Sequence, residues 1–215
     1  MDIYEAMSTQ RAIRRLRPDE VPNDALERAL EAATWAPTGA NAQPWRAVVV
    51  RDRETMATLG AWYAEGWFAY AEQHSKAIEN APAAIRDATL RMMKAGDYLA
   101  EHFAATPVLV VFCFNPKLMV VTDANESRQS VVGGASVYPA VQNFMLGCRN
   151  EGLGCVLTTL LCHGEARVRA LLEIPDPWYT AAAVPVGYSV GGGYGPVSRR
   201  PVAKMAYADR WGESW

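Results

Sequence analysis

The sequence predicts an α+β or α/β protein in which helices cover a central sheet. Segments with helical periodicity outnumber those that read as strands, and the strand-like runs are separated by helices instead of hairpin turns. Of the 215 residues, 50% are hydrophobic and 20% charged, a globular balance with enough chain for one core of ordinary size.

Residues 2–8 read as a short helix. Residues 22–35 make a stronger one, with Asn23 and Asp24 as starters and Leu26, Ala29, Leu30 and Ala33 on one face. Residues 45–51 form a strand. From Glu54 to Ala105 the pattern is mainly helical, broken near Pro82. Its first half is aromatic (Trp62, Tyr63, Trp67, Phe68, Tyr70), which suits a substrate-facing wall and core packing equally well. The valine-rich run 107–114 has the continuous apolar character of a buried strand. A loop over 115–128 precedes a long helix over 131–150, whose stripe is Val137, Val141, Phe144, Met145 and Cys148. Gly152 and Gly154 stop that helix and lead into a strand at 155–159. A helix at 165–172 and a strand at 179–190 follow, ending in Gly191, Gly192 and Gly193. The tail, 197–215, carries Arg199 and Arg200 and a short helical stretch with Tyr207 and Trp211. No repeat or linker divides the chain, so one domain over 1–215 is expected.

Several function classes fall away. A net charge of -2 gives no electrostatic reason to expect nucleic acid or an anionic membrane as partner. Cys113, Cys148, Cys155 and Cys162 lack Cys-x-x-Cys spacing and adjacent paired histidines, which argues against zinc and for small buried hydrophobes. The three histidines (His74, His102, His163) accompany no nucleophile elbow, His-x-x-x-His pair or Walker loop. The glycines at 191–195 follow a strand, but Pro196 and the arginines come next instead of a helix, so they read as a flexible chain reversal and not as a dinucleotide loop. The start of the chain lacks the regions of a signal peptide, and 107–114 is too short to span a bilayer, so a cytoplasmic location is expected.

Two features remain. Residues 36–46 (Ala-Pro-Thr-Gly-Ala-Asn-Ala-Gln-Pro-Trp-Arg) combine rigid backbone, small side chains and amides, a composition suited to a loop lying against a flat polar ligand. The basic residues are mostly arginine and cluster at Arg11, Arg14, Arg15 and Arg17 and again at Arg199 and Arg200. An extended backbone at the first cluster would send Arg11 and Arg15 to one side and Arg14 to the other. Arginine's fork suits phosphate, so the two clusters and the amide-rich loop point to an anionic cofactor.

Together these segments resemble the FMN-dependent nitroreductase family. Gln10-Arg11-Ala12-Ile13-Arg14-Arg15-Leu16 is similar to its Arg-Arg-Ser-x-Arg-x-Phe segment, and 36–45 to its Ala-Pro-Ser-Gly-x-Asn-x-Gln-Pro-Trp loop. Gly152-Leu153-Gly154 with Thr158, Thr159 and Leu160 resembles its Gly-Leu-Gly turn and the strand end beyond. Residues 183–188 followed by Arg199-Arg200-Pro201-Val202 resemble its last strand and basic tail. The four motifs come in the family's order and span nearly the whole chain.

The resemblance implies a three-layer α/β/α sandwich of the α+β class, with a mostly antiparallel sheet and a C-terminal tail extending onto the partner of a homodimer. It implies FMN at the dimer interface, with the phosphate on Arg11 and Arg199 and with Arg200 as an alternate. Arg14 would lie near N1 and the C2 carbonyl. Pro37, Thr38, Gly39 and Asn41 would press on the flavin from the partner, and amides around Thr159 and Leu160 would reach O4 and N5. Gln10 and Ala12 depart from the family's arginine and serine, which removes two donors and weakens the grip on FMN. The activity implied is reduction of an electron-poor small molecule, such as a nitroaromatic or quinone, by NAD(P)H through flavin N5. Ping-pong kinetics follow, with no certain protein acid or base. Reductive dehalogenation, natural-product dehydrogenation, flavin breakdown and a non-catalytic flavin-binding dimer are alternatives on the same scaffold. The segment 62–105 is placed near the substrate pocket.

Overall fold

Four strands, β1 (Trp45–Val50), β2 (Val108–Phe114), β3 (Gly154–Cys155) and β4 (Tyr179–Gly187), form one antiparallel sheet in the order β1-β2-β4-β3. They belong to a computed structural model that describes residues 1–215. The two central strands, β2 and β4, are almost wholly buried, which explains their unbroken apolar sequences. Alternation along β2 then divides the core. Val108, Val110 and Phe112 meet α2 (Asn23–Thr34) and α5 (Tyr138–Asn150), whereas Leu109, Val111 and Cys113 meet α3 (Arg53–Ala77) and α4 (Ala83–His102). The result is the three-layer α/β/α sandwich of the α+β class that the motifs implied. Short helices α1 (Ile3–Thr9) and α6 (Glu165–Leu171) complete it.

Local chemistry accounts for the boundaries. The Asp2 carboxylate accepts from the amides of Tyr4 and Glu5 to start α1, and Asp52 accepts from Thr55 to start α3. The break at Pro82 separates α3 from α4 where the sequence places it. Gly147 lets α5 approach α2 closely, since a Cβ there would lie 2.9 Å from the Ala29 Cα.

Three elements differ from expectation. The helix expected over 131–150 begins only at Tyr138: Val132–Gly134 is a 3-10 turn, because Gly133 and Gly134 weaken the α-helix and Pro139 suits its first turn. The strand expected at 155–159 pairs only at Gly154–Cys155, with a lone bridge from Thr158 to Ala183 beyond. The tail residues Tyr207 and Trp211 are not helical. Their rings meet at a tilt, with centres 4.9 Å apart, beside a bridge between Tyr207 and Ser214, and the only helical turn in the tail is a 3-10 turn at Val202–Lys204.

Candidate functional site

The first arginine cluster lies on an extended segment moored to the edge of the sheet. The Ile13 amide donates to the Cys155 carbonyl (2.9 Å), the Arg17 amide to Tyr188 (2.8 Å), and the Val190 amide to Arg15 (3.0 Å). Two glycines make this docking possible. A Cβ on Gly154 would sit 2.7 Å from Ile13 Cγ2, and one on Gly187 would meet both Pro107 and Leu16. Ile13 is buried while its neighbours are not, so it acts as the anchor that orients the arginines.

Arg14 turns into a cavity of about 260 Å³ walled by Tyr63, Trp67 and Tyr70 and floored by residues 156–160. Arg15 goes elsewhere, its guanidinium 4.6 Å from the Tyr98 ring centre, and Arg11 lies exposed beside Gly195. Arg14 is thus separated from Arg11 and Arg15, as an extended backbone requires. Arg11, Arg14, Arg199 and Arg200 have no carboxylate partner in the chain, whereas Arg28, Arg128, Arg149, Arg167 and Arg169 are all paired. Four unpaired guanidiniums are available to an anionic ligand.

The cavity walls are rigid. The Trp67 indole N–H donates to Asp97 on α4 (2.8 Å), and Gly96 is obligatory because a Cβ there would fall within the Trp67 ring. Tyr63 stacks on Phe103 with ring centres 4.4 Å apart. Burial pushes the Tyr63 phenol above its ordinary pKa, partly offset by the Thr158 hydroxyl and the Arg14 charge, so it stays neutral at physiological pH. The Leu160 amide donates to Thr158 Oγ1 (3.3 Å), while the Thr159 amide has no backbone partner. A cation, a free amide and a neutral phenol therefore line one cavity beside the aromatic face of α3, a donor set matched to the electron-rich edge of a flat ligand.

Histidines, carboxylates and cysteines lie outside this cavity. Burial raises the thiol of Cys113 to about 11 and also raises those of Cys148 and Cys162, so none of these three is a ready thiolate. A larger cavity of about 470 Å³ adjoins through Thr159, lined by Phe114, Tyr138 and Thr180 among others and lacking any charged group.

The amide-rich loop stands at the opposite corner of the sheet. It enters β1 at Trp45, level with Phe114 and Tyr179, whereas Ile13 is moored at Cys155, level with Val186. The two anchors are three strand spacings apart, about 14 Å, and about 23 Å along β4. Helix α5 bridges them: the Gly39 amide lies 3.4 Å from Ser136 Oγ just before its start, and Arg149 in its last turn donates to Thr9 (3.1 Å). The loop backbone is strained, with positive φ at Ala40, Asn41 and Gln43, none of them glycine. Thr38 Oγ1 braces it by accepting from the Gln43 amide (3.1 Å).

The remaining sequence candidates fall at intermediate places. The Gln10 amide turns inward, 4.0 Å from Met145 Sδ, and Ala12 is exposed. The chain from Gly191 reverses with positive φ at three successive glycines and returns to α1, where the Val197 amide donates to Ser8 (2.9 Å). Within it Gly193 is packed, since a Cβ there would meet Ser189 and Ile13, whereas Gly191 and Gly192 stand in open space. Arg199 and Arg200 follow it and are exposed. The aromatic helix splits its duties: Tyr63 and Trp67 face inward to line the Arg14 cavity, whereas Phe68 is half-exposed. Met92 and Val156 also line it, and only their position in the fold reveals them.

Comparison with known proteins agrees with this architecture. The chain is 31% identical over 213 residues to an NADH dehydrogenase of Thermus thermophilus, covering 95% of each. A crystal structure of oxidized iodotyrosine deiodinase bound to FMN and 3-iodo-L-tyrosine superposes with a TM-score of 0.67 at 22% identity, covering 93% of this chain and 94% of that one. A BluB-like flavoprotein from Clostridium difficile superposes with a TM-score of 0.68 at 17% identity, covering 98% and 100%. The profile of the nitroreductase family matches residues 7–188, and with that match the chain belongs to the nitroreductase family.

Proposed function

We propose that the protein is an FMN-dependent oxidoreductase that uses NAD(P)H to reduce an electron-poor acceptor of the nitroaromatic or quinone type. The observation that carries this reading is the Arg14 cavity, where an unpaired cation and the free Thr159 amide line one cavity with the aromatic side chains of α3. These residues fit the isoalloxazine of FMN. Arg14 would balance negative charge near N1, and the free Thr159 amide would donate to the O4 and N5 edge, joined by the Leu160 amide on exchanging its bond to Thr158 Oγ1 for the flavin. Thr158 positions both by holding the turn. Arg11, Arg199 and Arg200 would hold the phosphate. When bound, FMN supplies the two-electron chemistry that no side chain of this cavity can supply. Tyr63 and Trp67 exclude water and hold the walls apart.

The corner-to-corner separation of the loop from the arginines supports a homodimer in which Pro37, Thr38, Gly39 and Asn41 reach the flavin of the partner. A two-fold axis brings opposite corners of two sheets together without altering either. Exposed Trp35, Val131 and Tyr138 near the loop, and Trp211 and Trp215 in the tail, supply apolar surface for such an interface. The tail would then lie on the partner subunit. No helix is long and apolar enough to cross a membrane.

The test begins with absorbance. A yellow protein releasing FMN on denaturation is the expected result, and a colourless one that cannot be reconstituted with FMN would sink the proposal. Anaerobic NADH or NADPH should bleach the flavin, and steady-state turnover with nitroaromatics and quinones should give parallel double-reciprocal lines. Reductive dehalogenation is a second reading, favoured by the likeness to iodotyrosine deiodinase. Halide release from a halophenol, without nitroaromatic reduction, would select it.

A further inference from the structure

A second polar cleft, of about 480 Å³, opens beside the Arg14 cavity and shares two wall residues with it, Tyr70 and Leu160. Trp62 lines it, its charged groups are Glu65 and Arg167, and the His163 ring also borders it. Arg167 is held in place from three directions. Its guanidinium lies 4.7 Å from the Trp62 ring centre, and Nη2 donates to Glu65 at 3.0 Å. Gly164 gives it room, because a Cβ there would collide with Nε.

We propose that this cleft binds the anionic group of a ligand whose ring occupies the Arg14 cavity, foremost the diphosphate of the nicotinamide donor. The inference rests on the reading of the Arg14 cavity as the flavin site. The donor's nicotinamide is joined to a diphosphate that must leave the cavity, and the opening bordered by Tyr70 and Leu160 leads to Arg167. Glu65 is no obstacle: its side chain is 67% exposed, and an exposed ion pair contributes little. An incoming phosphate offers Arg167 two acceptors in the fork geometry that one exposed carboxylate does not hold firmly. His163 stands exposed at the rim, and Gln73 adds a neutral amide donor. A carboxylate on the acceptor is the other source of the same chemistry.

The test uses the full-length protein as purified, with Arg167→Ala and Glu65→Gln. Calorimetric titration with ADP reads the site without turnover. Arg167→Ala should weaken ADP binding about tenfold, the scale of one charge-assisted contact. Glu65→Gln should tighten it by removing a negative charge from beside the phosphate, an opposite sign that a merely structural role would not produce. In turnover, the ratio of KM for NADH to KM for N-benzyl dihydronicotinamide, which lacks phosphate, should rise about tenfold in Arg167→Ala. If that ratio is unchanged but KM rises for nitrobenzoate and not for nitrobenzamide, the anion belongs to the acceptor. Unchanged ADP affinity together with unchanged ratios in both pairs overturns the proposal. Absence of FMN from the purified protein would defeat the flavin reading separately, and the ADP titration would still decide whether Arg167 binds phosphate.

Discussion

Replacing Gly154 by alanine tests how the arginine segment is held. The added Cβ would lie 2.7 Å from Ile13 Cγ2 and 3.1 Å from both Ile13 Cβ and Leu16 Cδ2. Carbon atoms pack at about 3.5–4.0 Å, so roughly 1 Å must be yielded. Ile13 cannot withdraw freely, because its amide is bonded to Cys155, the residue after Gly154. Overpacking of this kind costs about 1–3 kcal/mol, or a fall of about 2–12 °C in melting temperature for a chain this size. Arg14 follows Ile13 and must shift with it, so FMN affinity should fall about tenfold or more, the worth of one charge-assisted contact. Gly152→Ala is the control. Its φ of 74° makes alanine strained by about 1–2 kcal/mol, but nothing lies within 4 Å, so FMN affinity should hold. Ile13→Ala removes the clashing methyl, and the double variant should be more stable than the sum of the singles predicts. Melting of the apo-proteins and quenching of FMN fluorescence give both readings. Additive costs, or an unchanged FMN dissociation constant in Gly154→Ala, would refute the docking argument.

Arg14→Ala should weaken FMN binding by about 1.5–3 kcal/mol or lower the flavin potential, and no change in either would remove it from its proposed place. If each site is built from two chains, mixing Arg14→Ala with Asn41→Ala subunits creates hybrids with one intact site. Activity should then recover on subunit exchange, and failure of exchanged hybrids to recover would place both residues in one chain's site. Asp123 is a buried carboxylate held below the usual range mainly by the Ser130 hydroxyl (2.6 Å) and then by Arg128 (2.6 Å). A depressed folded pKa contributes stability above the unfolded value of about 3.9, which is lost as pH falls through the folded value. Melting temperatures from pH 7 to pH 3 should show this loss in the native protein and a shallower acid dependence in Asp123→Asn.

Much of this fold was legible because its signals are local. The valine run at 107–114 had the character expected of a buried strand and Pro82 marked a break in the helical pattern, and both stand in the fold. The strand at 155–159 was overextended because its pairing ends after two residues, a fact about β4 and not about its own sequence. The helix start at Tyr138 was missed because the apolar stripe continues upstream through Val131 and masks the weakness at Gly133 and Gly134. The tail around Tyr207 and Trp211 carried helix-compatible spacing but too little buried surface to support a helix.

What the sequence determined by itself was the kind of each major element and the motifs from which candidate site residues could be drawn, since period, turn residues and motif spacing are properties of neighbouring residues. Only the tertiary structure decided which arginine faces the cavity. That choice depends on two missing Cβ atoms, at Gly154 and Gly187, which lie far along the chain from Arg14 and yet set the depth at which Ile13 and Leu16 dock. The structure likewise divided the aromatic helix into wall and surface, because α4 and Gly96 cover Trp67 and leave Phe68 open. Such contacts join residues from different strands and helices, and no local pattern encodes them.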